Sequence, residues 1–218
     1  MHSLFLWLIL SGMPIEHQYP SGIDQEILES AADSSYLQNK VIPEEIKKPV
    51  MQALSYFPEL AEVDITFAFK DKISGSIMQA QPRMFSLIVD TKENRKYKIN
   101  ITRYLDFEDK SIPIEEVPYD ALVGWIGHEL GHIMDYLDRS TTGMMRFGVK
   151  YMLSDKKVIE AELTADGYAI GCGMGHQIVA NKNFILNNDN FEEAYKDKIR
   201  NLYMSPSQIL SIQEALGK

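Results

Sequence analysis

Two short segments carry side chains whose types and spacing suit metal chemistry. In Gly127-His128-Glu129-Leu130-Gly131-His132 the histidines stand four apart. On a helix that spacing places them on one face, a turn apart. Both imidazoles can then address one ion, a geometry that zinc accepts. Glu129 is rotated away from the ligand direction, toward the ion's open position. There it can take a proton from water and pass it to a leaving amine. The second segment is Glu162-Leu163-Thr164-Ala165-Asp166, in which two carboxylates again share a helix face. Glu162 completes a His-His-Glu set and leaves a fourth position for water. Asp166 can accept the second ring N–H of His128 or of His132, fixing its tautomer. The plainer reading of both segments is a solvated polar helix face.

These residues need two helices that approach closely. Gly124, Gly127 and Gly131 lie on one stripe of the first helix, where each costs about 1 kcal/mol relative to alanine. Ala161, Ala165 and Ala169 offer a matching small-residue stripe on the second. Packing of the two stripes would carry the Glu162 carboxylate to the histidines.

The surrounding pattern predicts an α+β fold, a small, mostly antiparallel sheet packed against a helical bundle that carries the zinc site. Pro43-Glu44-Glu45 opens a helix with an apolar stripe at Ile46, Val50, Leu54 and Phe57, kinked at Pro49 or starting later. Val63 to Phe69 alternates like a strand, and Phe85–Val89 and Tyr97–Ile101 read as further strands. From Pro118 onward the spacing predicts helices near 118–138, 142–153, 156–172, 190–203 and 206–216. Met144, Met145 and Met152 read as gap fillers in the core.

The chain has 218 residues, is 45% hydrophobic and carries a net charge of −9. That size suits one domain, read here over residues 21–218. The acidity, with no basic stripe, argues against a nucleic-acid partner. Cys172 is the only cysteine, which excludes an internal disulfide and a cysteine-rich metal site. Residues 1–20 include the apolar run Leu4-Phe5-Leu6-Trp7-Leu8-Ile9-Leu10, similar to a secretory leader and too short to span a bilayer. The location that follows is export if the run is a leader, otherwise the cytoplasm. No later stretch is a transmembrane candidate.

With its HExxH element at 128–132 and the ExxAD-like element at 162–166, the sequence resembles the gluzincin group of zinc metallopeptidases. The resemblance covers about residues 118–172. It implies one catalytic Zn²⁺ on His128, His132 and Glu162, Glu129 activating water at the metal, and hydrolysis of peptide bonds in a peptide or protein substrate. It also implies that an edge strand, such as Tyr97 to Ile101, pairs with extended substrate. The alternative is a catalytically idle metal-binding or regulatory protein that retains the fold. Metzincins place a third ligand six residues beyond the second histidine, here Asp138. Asp135 stands where their helix-breaking glycine belongs, so the helix should continue and carry Asp138 roughly 9 Å past His132. A group that stabilises the developing oxyanion is also expected. His176, after the loop Gly173-Met174-Gly175, is the first choice, with Tyr168, Tyr195 and Tyr203 beside it.

Overall fold

The computed structural model describes residues 37–217, and the leader expected at 1–20 lies outside them. Pro43 leads into a 3-10 turn, Glu44–Ile46, and helix α1 follows at Lys47–Ser55. The helix thus starts late enough that Pro49 falls in its first turn, where a missing N–H leaves no hydrogen bond unmade and no kink is needed. Val50, Ala53 and Leu54 turn its buried face to the core.

The main sheet has four strands: β1 (Lys40–Val41), β2 (Ile65–Lys70), β3 (Met78–Pro82) and β4 (Tyr97–Thr102). Their order is β1-β2-β4-β3. Strand β2 runs parallel to both β1 and β4, and only β3 is antiparallel to its neighbour. The sheet is therefore mixed, where the sequence suggested mostly antiparallel pairing. The cause is the connection: β3 does not return directly on β2, and β4 inserts between them. A separate two-stranded antiparallel pair, β5 (Tyr104–Asp106) and β6 (Ser111–Pro113), follows.

The segment Phe85–Val89, expected as a strand, is part of helix α2 (Met84–Val89). Its backbone bonds are helical, Leu87 N–H to Arg83 O and Asp90 N–H to Ser86 O. A short apolar run without alternation does not distinguish strand from helix. Strand β3 escaped notice for the opposite reason: Met-Gln-Ala-Gln-Pro has little strand propensity.

The helical half comprises α3 (Tyr119–Leu137), α4 (Thr141–Leu153), α5 (Asp155–Gly171), α6 (Gly175–Leu186), α7 (Glu193–Leu202) and α8 (Pro206–Ala215). Five of these match the expected spans. Helix α6 does not: Gly173-Met174-Gly175 was expected to be a loop, yet only Gly173, at φ 97°, is a left-handed turn residue, and Gly175 begins the helix. Ser205 caps α8 in a capping box with Gln208, and Pro206 takes the first turn.

Helix α3 is the centre of the molecule. Its flanks are covered by α1, β3, α5 and α6, so nearly every residue from Ala121 to Tyr136 is buried. Arg95, only 2% exposed, ends it by donating to the carbonyls of Tyr136 and Arg139. A cation there also complements the helix dipole. Of the three methionines assigned to core gaps, Met144 is buried, but Met145 and Met152 are exposed on the outer face of α4. No helix among the described residues is long and apolar enough to cross a membrane.

Candidate metal centre

Helix α3 presents His128 and His132 on one face, their rings 4.7 Å apart and nearly perpendicular. Helix α5 brings Glu162 across to them. Glu162 Oε2 lies 3.0 Å from His128 Nε2 and 3.3 Å from His132 Nε2. All three side chains are buried, and one donor atom from each falls within 4.8 Å of the others. Donors held about 2.0–2.1 Å from one tetrahedral ion stand about 3.3–3.4 Å apart. Both carboxylate–imidazole distances are near that spacing, so His128, His132 and Glu162 could hold a metal ion.

The close packing of small residues is present, with two partner helices instead of one. A Cβ on Gly131 would lie 2.3 Å from the Ala165 carbonyl oxygen of α5. A Cβ on Gly124 would lie 2.0 Å from the Gln177 carbonyl oxygen of α6. The glycine stripe therefore seats α5 at one end of α3 and α6 at the other. Ala165 stands between Glu162 and Asp166 in sequence, so the contact at Gly131 sets how near those carboxylates come.

Asp166 is wholly buried and serves His128, not His132. Its Oδ1 is 2.7 Å from His128 Nδ1 and accepts from Lys182 Nζ at 3.3 Å, while Oδ2 accepts from the Met204 N–H at 3.2 Å. With Nδ1 held by Asp166, Nε2 is the nitrogen turned toward the centre and Glu162. Lys182, buried on α6, also lies 4.0 Å from the Tyr203 ring. His132 has no such support, and its Nδ1 is buried without a hydrogen-bond partner among the described residues.

Charge follows this geometry. Burial alone would lower the His128 pKa, but Asp166 and Glu162 overcome it and raise it to about 9. Burial pushes the two carboxylates upward; the paired cations win, and both Glu162 and Asp166 sit below their ordinary values. Chelator-treated protein should accordingly be most stable at mildly acidic pH. The His128 contribution is complete below its ordinary 6.5 and disappears as pH rises toward about 9. The Glu162 contribution is present above its ordinary 4.5 and disappears on acidification. A melting temperature highest between those limits and falling by several degrees toward pH 9 is expected. A flat profile from pH 6 to 9 would contradict the assigned pairing.

Glu129 does not join the donor set. Its Oε2 accepts the Ala80 N–H of β3 at 2.6 Å. Burial raises its pKa, against the downward pull of His132 and His128. Strand β3 is the edge of the main sheet and lies along α3. Its pairs with β4 at Ile77–Thr102 and Arg83–Lys96 are hydrogen-bonded, so alternation turns the N–H and C=O of Ala80 away from β4. Glu129 takes that N–H, and the Tyr136 hydroxyl approaches the carbonyl at 3.4 Å. The expected edge strand was Tyr97 to Ile101; that segment is β4, inside the sheet, and β3 holds the edge position beside the site.

The remaining candidates separate clearly. Asp138 is exposed just beyond α3 and accepts from the Tyr168 hydroxyl at 3.2 Å, which places both away from the donor cluster. His176 is exposed in the first turn of α6 and is not among the residues gathered around His128, His132 and Glu162. The Tyr203 ring lies 5.4 Å from that of His128, and burial followed by the Glu162 charge raises its pKa well above normal. Burial, then Glu129 and Glu162, likewise raises that of Tyr195. Tyr151, not singled out by the sequence, donates to Glu162 Oε1 at 2.9 Å. Tyr136, also unforeseen, stacks on His132 at 6.0 Å. No family model, curated protein or solved structure matches the chain.

Proposed function

We propose that this chain is a zinc-dependent peptidase of the gluzincin kind, with His128, His132 and Glu162 as ligands and Glu129 as general base. The observation that carries the reading is the division of labour among four buried side chains. Three turn donor atoms toward one point, while a fourth, Glu129, adjoins them without joining them and has its pKa raised by burial. Two imidazoles and one carboxylate form a set suited to zinc with a position left open. Zinc held there would polarise a carbonyl and acidify a water molecule.

The protein's own groups supply the rest. Glu129 takes a proton at its carboxylate and returns it to the departing amine, as a base of raised pKa is suited to do. Asp166, held by Lys182, keeps His128 in one tautomer. Tyr203, whose ring lies 5.4 Å from that of His128, is the donor assigned to the developing oxyanion. Tyr151 is already committed to Glu162 and orients that carboxylate.

Metal content measured by mass spectrometry tests this reading. Wild-type protein purified without chelators should hold about one zinc per chain, retained in Asp138→Ala and lost in Glu162→Ala, and should cleave members of a mixed peptide library. Failure to take up zinc even after reconstitution would sink the proposal. A specific observation favours a second reading, a metal-binding protein without activity: the Ala80 N–H already occupies Glu129, which makes that carboxylate a latch between helix and sheet. Substitution of Glu129 separates the two.

A further inference from the structure

A cavity of about 640 Å³ has no part in the chemistry assigned so far. Ile77, the residue before β3, lines it, and Ala80, three residues along, touches Glu129. Three residues of strand span roughly 10 Å, so the cavity lies within a few peptide units of the general base. Tyr195 lines the cavity as well.

The lining has two characters. The interior is aromatic: Phe107 and Phe191 meet edge to face with ring centres 5.1 Å apart, and Tyr195 stacks on Phe191 at 5.6 Å. The rim is acidic. Asp71, Asp106, Glu108, Asp189 and Glu192 stand around it against one lining cation, Lys72. None of these five carboxylates forms an ion pair among the described residues; Asp106 alone has a side-chain partner, the Ser111 hydroxyl. Nearby Lys198 is committed to the Gly75 carbonyl. An aromatic-lined space within a carboxylate rim complements a long aliphatic stem that ends in a cation, which can stack on the rings while its charge meets the rim. A neutral apolar side chain gains nothing from the rim, and an acidic one is repelled by it.

We propose that this cavity is the specificity subsite, taking a lysine or arginine side chain of the substrate within about three residues of the scissile bond. The assignment rests on the peptidase reading, and its test separates the two. Zinc-loaded full-length protein is incubated with a mixed peptide library and the products are sequenced by mass spectrometry. Lysine and arginine should be enriched about fivefold or more at one fixed position near the cut. The double variant Asp189→Asn/Glu192→Gln should retain its zinc and lose about threefold of that enrichment, since each exposed carboxylate contributes modestly. Binding of alanine-based peptides with one lysine, leucine or glutamate to Glu129→Gln protein gives a measurement without turnover. The lysine peptide should bind tightest, and its advantage should shrink between 50 and 500 mM NaCl. Should the double variant fail to fold, that salt dependence decides. Bonds cut with no basic preference would overturn the subsite and leave the peptidase standing. No cleavage at all by the zinc-loaded chain would overturn both.

Discussion

Glutamine in place of Glu129 should reduce peptide hydrolysis by about a thousandfold while bound zinc stays at the wild-type level. The size follows from the role: a positioned general base contributes roughly 10²–10⁴-fold. The sparing of zinc follows from geometry, because Glu129 is outside the His128, His132 and Glu162 donor set. Glutamine keeps the length of the side chain and an oxygen to accept the Ala80 N–H, so the latch to β3 survives. Burial disfavours the charged form of Glu129 and glutamine carries no charge, so the melting temperature should hold or rise. Unchanged hydrolysis in Glu129→Gln would remove Glu129 from the chemistry. Loss of folding without any change in turnover per folded molecule would favour the latch and the inactive reading.

What the sequence disclosed, and what it hid, divides along contact distance. His128, His132, Glu162 and Asp166 were readable because helical periodicity alone puts residues four apart on one face. The glycine and alanine stripes were readable for the same reason, although nothing local revealed that Gly124 would meet α6 and Gly131 α5. The partners of Glu129 and Tyr136 at Ala80 lie 49 and 56 residues away, on a strand whose glutamines and proline gave no strand signal. Tyr151 faces Glu162 only because α4 folds back against α5, and buried Lys182 lies on a helix whose first residues look like a loop. Strand direction was hidden as well, since insertion of β4 between β2 and β3 is a property of the whole sheet. Arg95 gave no sign that its guanidinium would end α3, 41 and 44 residues further on.

The glycine contacts yield the second large effect. Gly131→Ala should cost more stability than Gly127→Ala and should weaken zinc binding, which Gly127→Ala should not. A Cβ at Gly131 would meet a backbone atom, the Ala165 oxygen, at 2.3 Å, so α5 has to move. At Gly127 the obstacle is the flexible end of Met174, which can rotate away. Overpacking of this kind costs typically about 1–3 kcal/mol, more than the roughly 1 kcal/mol that alanine returns through helix propensity. Displacement of α5 also moves Glu162 and Asp166 together, so the donor atom and the group that orients His128 shift at once. Gly131→Leu extends the argument: helices α3 and α5 can no longer touch, and zinc should be lost while much of the helical circular dichroism remains. Gly124→Ala isolates the other end of the stripe. Its Cβ would press on the Gln177 oxygen of α6, so it should destabilise the fold with less effect on zinc than Gly131→Ala. Calorimetry and zinc titration of the four variants check the ordering. If Gly131→Ala and Gly127→Ala were equally stable and bound zinc equally well, backbone contact between α3 and α5 would not be what holds Glu162 at the histidines.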